Sequence, residues 1–168
     1  MNQLPEPWLR GVEPGINPVI GHLLRSSQQI REDLTNAIAH LTVEQLWTQP
    51  WTNSNGAASV GFHARHLAGS TLRLCTYLEG NQLSETQLAD LRRENDPGES
   101  AASLLAGVES ALDRYETLLR NLPQEQFDTL REVGRQRLQT TAIGLAIHIA
   151  EHGQRHTGQA ITIAKTFR

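Results

Sequence analysis

Apolar residues recur along this chain at spacings of three, four and seven, the pattern of helices that bury one face. Four long segments carry it. The first is predicted over residues 18–40, where Asn17 supplies an N-cap and Pro18 takes the first helical position, which needs no N–H. The second follows Ser59, another good N-cap, and carries Val60, Leu67, Leu74 and Leu78 before Gly80 ends it. The third, over residues 100–122, lines up Leu104, Leu105, Val108, Leu112, Tyr115, Leu119 and Leu122. The fourth begins near Thr140 or Thr141 and runs to about residue 164.

Between these segments the polar stretches differ in character. Residues 1–15, with Pro5, Pro14 and Gly15, read as an extended arm, and residues 49–58 as an Asn- and Gly-rich loop. Thr42-Val-Glu-Gln45 has the form of a capping box and predicts a short helical turn closed by Pro50. Residues 80–99 form a long connection with room for a short helix and an Asp96-Pro97-Gly98 turn. Residues 128–139 are polar and match no template, and no segment shows a convincing strand alternation. Leu41-Thr-Val-Glu-Gln-Leu46 and Leu122-Pro-Gln-Glu-Gln-Phe127 echo one another, each closing a long helix ahead of a histidine-bearing one. The expected fold is all-α: one four-helix-bundle domain spanning residues 1–168, with its long connection between the second and third long helices.

Composition narrows the function. Hydrophobic residues make up 38%, enough for a bundle core, whereas aromatics at 5% are too few for base-stacking platforms. A net charge of −3 and a pI of 6.1 provide no cationic face for phosphates, so nucleic acid is not expected as a partner. No apolar run approaches the roughly 20 residues that span a bilayer, and the N-terminus lacks a secretory pattern, so a cytoplasmic location without membrane association is expected. The single cysteine, Cys75, falls in a helical pattern, where a small buried hydrophobe is its usual role. Trp8, Trp47 and Trp51 are expected to cover the bundle end.

The histidines change the picture. His152 and His156 lie about 20° either side of the centre of the apolar stripe of the fourth helix, while His148 falls on its flank. Two imidazoles in a core are costly unless their nitrogens find partners, and a shared metal ion supplies one. The alternative is that each ring reaches a carbonyl or carboxylate and serves as a satisfied core residue. His63 and His66 form a second cluster, in which the wheel puts His63 about 40° from the stripe centre and His66 about 100° away, at its border. By periodicity His63 is the better core-facing ligand. His148-Ile-Ala-Glu151-His152 also matches the inverted zinc-peptidase signature, but no Asp or Glu follows His152 to complete that site.

The amino-terminal Pro-Glu-Pro-Trp-Leu-Arg-Gly, the histidine before Leu-Ala-Gly-Ser, and Glu-His-x-x-x-His-x-Gly-Gln late in the chain together resemble the DinB-like superfamily, with its YfiT-like metalloenzymes. The resemblance covers nearly the whole chain. It implies a four-helix bundle whose metal is held by His66, His152 and His156, with His63 moved to a supporting position. Three imidazoles leave a coordination position open, as a catalytic ion needs, and favour zinc or nickel over magnesium or calcium. Binding should weaken below about pH 6, where free imidazoles take up protons.

The resemblance further implies a divalent-metal-dependent enzyme in which a thiol or a water is the nucleophile, as in a thiol S-transferase or a hydrolase. The expected partner is a small-molecule substrate, including a low-molecular-weight thiol, and a homodimer is expected. Candidate proton acceptors are His63, His148 and Glu151. Arg155 and Gln159 flank the pair as solvated or packing groups. The alternative function is a non-enzymatic, metal-stabilised binding or stress-response protein.

Overall fold

A computed structural model describes residues 4–50 and 58–167 of the chain; Trp51 and most of the loop expected at 49–58 lie outside them. Six helices and a two-stranded hairpin follow in the order α1 (Pro18–Ile38), α2 (Val43–Trp47), α3 (Val60–Leu78), α4 (Glu85–Arg92), α5 (Ala101–Arg120), β1 (Leu130–Val133), β2 (Leu138–Thr141) and α6 (Ala142–Ala164). Side-chain caps open all six helices. Asn17 accepts from Val19 N, Ser59 from Phe62 N, Ser100 from Ser103 N and Thr141 from Gly144 N, while Thr42 and Ser84 make full capping boxes with Gln45 and Gln87. Each such cap is worth about 1 kcal/mol.

The four long helices pack as a bundle in which α3 lies between α5 and α6, and α1 likewise contacts both. Two apolar clusters fill it. One contains Ile30, Leu34 and Ile38 of α1, Val60 and Leu67 of α3, Leu104 and Leu112 of α5, and Ile163 of α6. The other gathers Ile20 and Leu24, Cys75 and Leu78, Tyr115 and Leu119, and Leu145 and Ile149. The order in which each helix passes the clusters fixes its direction: α1 and α6 run one way, α3 and α5 the other. Because α3 and α5 are parallel, residues 79–100 must return along the length of α3, about 28 Å. That return path is the long connection, and it contains α4.

Three features differ from the expectations. The polar stretch after residue 128 forms an antiparallel hairpin, with Val133 opposite Leu138 and Leu130 opposite Thr141. Its strands lack a buried apolar face, and Leu130 and Leu138 are exposed, so alternation could not reveal it. Gly134 and Arg137 take positive φ in its turn, and Arg131 Nε donates to Leu78 O at 2.6 Å, fastening the hairpin to the end of α3. The amino-terminal arm is not extended throughout: Pro7–Arg10 close into a 3₁₀ turn, and Arg10 makes two hydrogen bonds to Glu32. Trp8 is 58% exposed and covers no bundle end, whereas Trp47 packs on the core and donates to Glu99 O. No helix among the described residues is long and apolar enough to cross a membrane.

Candidate metal centre

The antiparallel contact of α3 with α6 brings the two histidine clusters together. His66 meets His152 and His156, with ring centroids 5.2 and 4.5 Å away, and the α6 pair, one turn apart, are 4.5 Å from each other. One ring nitrogen from each of the three lies within 4.8 Å of the others. These three residues could together hold one ion. His63 faces the core, as periodicity indicated, and is 7% exposed, yet it stays outside the trio.

The hydrogen bonds decide which nitrogens are free. His66 Nδ1 is 2.7 Å from Glu94 Oε2; a carboxylate oxygen accepts, so Nδ1 carries the proton, and in the neutral imidazole the lone pair is then on Nε2. Ser70 Oγ donates to Leu67 O, and its proton is thereby committed, so at 3.3 Å it accepts from His152 Nδ1–H. His156 Nδ1 lies 3.0 Å from His63 Nδ1, and a proton on His156 leaves its Nε2 free as well. Every imidazole of the trio thus has an Nδ1 partner supplied by α3 or by the long connection. The donor set suits a divalent transition-metal ion, and the orienting bonds are those that metal-binding histidines normally have.

Burial disfavours the charged form of three of these imidazoles. It lowers His63 and His152 to about 4 and His156 to about 3, with repulsion from His66 as the next cause in each. Neutral imidazoles are the form that binds metal. Phe62 stacks on the His66 ring with centroids 5.3 Å apart, closing one side. His148 is 45% exposed, 3.8 Å from Glu151, whose carboxylate is bonded to Arg155, and Gln159 is exposed.

Glu94 and Arg73 were not legible as site residues. Arg73 lies seven residues after His66, hence on the same face of α3, and that was the one available signal. Glu94 comes from the connection, where no periodicity speaks. Arg73 Nη1 approaches Glu94 Oε1 to 2.7 Å, although that oxygen has no hydrogen-bond partner, so the contact is one of charge out of line with the N–H. A cavity of ≈500 Å³ lies beside this pair, walled by Arg65, Gly69, Arg73, Glu94 and the 96–99 turn; none of the histidines lines it.

A family model described as the DinB superfamily matches residues 27–160, a span that runs from the middle of α1 through most of α6. The chain belongs to the DinB superfamily. Solved structures agree on the fold. A DinB-like protein from Bacillus cereus superposes with a TM-score of 0.65 at 15% identity, covering 86% of this chain and 90% of its own. YfiT from Bacillus subtilis, described as a probable metal-dependent hydrolase with an unusual four-helix bundle topology, gives 0.65 at 19% identity, covering 92% and 91%. The DinB-like YjoA of Bacillus subtilis gives 0.58 at 17%, covering 90% and 92%. No curated protein matches the sequence. The parallel α3 and α5 and their returning connection are this DinB-superfamily member's version of the bundle.

Proposed function

We propose that His66, His152 and His156 hold one divalent ion, zinc or nickel, and that the protein is a metal-dependent enzyme acting on a small molecule. The observation that carries this reading is the convergence of three imidazoles, each with its Nδ1 engaged, and no fourth His, Cys, Asp or Glu grouped with them among the described residues. A closed structural zinc site more often has four protein ligands. The description of YfiT as a probable metal-dependent hydrolase supports the same class.

A bound ion would lower the pKa of a water or a thiol and so supply a nucleophile near neutral pH. The chain's own part is to disfavour protonation of His152 and His156 by burial, to fix the orientation of the three imidazoles and to offer proton acceptors. His63 is the buried candidate acceptor; His148 and Glu151 stand on the exposed flank. The fold likeness supports hydrolysis through YfiT, and the family resemblance supports a low-molecular-weight thiol as co-substrate. A cytoplasmic homodimer is part of the proposal, and a monomeric mass in light scattering at micromolar concentration would remove the dimer from it.

Calorimetric titration of the apo-protein with zinc and with nickel tests the site. His66→Ala, His152→Ala and His156→Ala should each lower affinity by orders of magnitude. Parent-like affinity in the two α6 variants would leave the histidines as core residues and remove the enzymatic reading. Turnover by the loaded protein of an activated ester, against conjugation of a low-molecular-weight thiol to an electrophile, then separates hydrolase from transferase.

A further inference from the structure

The connection that returns along α3 brings one carboxylate to the histidines. Glu94 is 4% exposed, although the residues around it, Arg92, Arg93 and Asp96, are exposed. We propose that Glu94 is a positioning residue for the metal, holding His66 with Nε2 toward the ion and so coupling the folded connection to metal affinity. The proposal rests on the reading of His66, His152 and His156 as ligands.

A buried carboxylate is costly unless well bonded, and a buried ion pair is by itself weak evidence for stability. Glu94 is bonded on one side only. Oε2 accepts from His66 Nδ1 at 2.7 Å, while Oε1 has the charge of Arg73 at 2.7 Å and no hydrogen bond. The guanidinium supplies the countercharge on one oxygen, and the hydrogen bond on the other goes to an imidazole. α3 makes room for it: a Cβ on Gly69 would stand 2.7 Å from Glu94 Oε1 and 2.8 Å from Arg73 Nη1.

The backbone around Glu94 is held by a different group. Arg65 donates to Arg93 O at 2.9 Å, to Glu94 O at 3.3 Å and to Asp96 O, pairs with Glu99 Oε2 at 2.7 Å, and stacks 4.3 Å from the Trp47 ring. Arg65 thus holds the backbone of the connection, while Glu94 is the side chain that reaches His66. A carboxylate on the far nitrogen of a metal-binding histidine fixes its tautomer and makes it a stronger ligand.

The experiment compares the parent with Glu94→Ala, Glu94→Gln, Glu99→Gln, His66→Ala and His152→Ala. Long-range ¹H–¹⁵N spectra of the apo-protein should show the His66 proton on Nδ1 in the parent and in Glu94→Gln, whose carbonyl still accepts, and its loss in Glu94→Ala. Zinc affinity should fall about 10–100-fold in Glu94→Ala and less in Glu94→Gln. The visible spectrum of bound cobalt should shift in both. Glu99→Gln removes an ion pair from the same connection without touching His66, so it should lower the melting temperature and leave zinc affinity and the cobalt spectrum unchanged.

Parent-like zinc affinity in Glu94→Ala, with affinity lost in His66→Ala and His152→Ala, overturns the positioning role alone. Equal affinity losses in Glu94→Ala and Glu99→Gln make Glu94 a brace of the connection and overturn it too. Parent-like binding in the histidine variants means that the ligand reading has failed, and the proposal with it. Should Glu94→Ala not fold, the near-isosteric Glu94→Gln and its spectra still decide.

Discussion

His63 and His156 meet Nδ1 to Nδ1 at 3.0 Å across the α3–α6 contact, and one proton must serve both. Only the arrangement with that proton on His156 leaves His156 Nε2 free for an ion, and in that arrangement the buried His63 accepts.

His63→Ala should therefore weaken zinc binding, but by less than loss of a ligand. The expected fall is about 10–100-fold, against orders of magnitude for His156→Ala, measured by competition with a chromophoric chelator. A loss in His63→Ala as large as that in His156→Ala would make His63 a ligand in its own right.

The apo-protein should lose stability as the medium is acidified. His63 and His152 are lowered to about 4 and His156 to about 3 from the ordinary 6.5, and these are depressed values. Below about pH 6.5 the unfolded chain takes up protons that the folded one refuses; the contribution is complete above that pH and falls until the folded imidazoles protonate at about pH 3–4. Urea denaturation between pH 7.5 and 4.5 should show the decline, and His156→Ala should flatten it. For His152 and His156, proton competition with a metal is likewise displaced well below the pH of about 6 that unperturbed imidazoles imply. A stability that does not change across this range would contradict the burial argument.

Gly69→Ala sets two effects against each other. Within a helix the change should stabilise by roughly 1 kcal/mol. The new Cβ, however, would press on Glu94 Oε1 and Arg73 Nη1 at 2.7 and 2.8 Å. Zinc affinity should fall while the helical circular-dichroism signal is kept; unchanged affinity would mean that the pair repositions without consequence for His66.

Cys75 should be inert in the folded protein. It is fully buried, and burial pushes its thiol up to about 12, with the charge of Glu79 adding to the shift and that of Arg114 opposing it. Ellman's reagent at pH 8 should react with it only after denaturant is added. Rapid reaction in the native state would reopen Cys75 as a nucleophile; otherwise any thiol in the chemistry must come from the substrate.

Helical periodicity and cap residues made the bundle readable. Asn17, Thr42, Ser59, Ser100 and Thr141 cap the helices that follow them, because each supplies an oxygen to backbone N–H groups left without partners. The hairpin at residues 130–141 was not readable, since Leu130-Arg-Glu-Val133 buries no face and so carries no alternation. At His63 and His66 the wheel and the family resemblance pointed to different residues. The structure separates their meanings: His63 faces the core and bonds His156, whereas His66, at the stripe's border, leans toward α6 and joins the trio.

Local pattern sets which long segments are helical, which faces they bury and that imidazoles interrupt two of those faces, because these depend on near neighbours along the chain and on a fixed 100° step. Helix direction, and with it the meeting of α3 with α6, was decided only by tertiary packing. The same packing sends residues 79–100 back along α3 and brings Glu94 within 2.7 Å of His66, a residue 28 positions away. No local pattern encodes that contact. It exists because parallel α3 and α5 need a long return, and because a glycine at position 69 leaves space where that return passes.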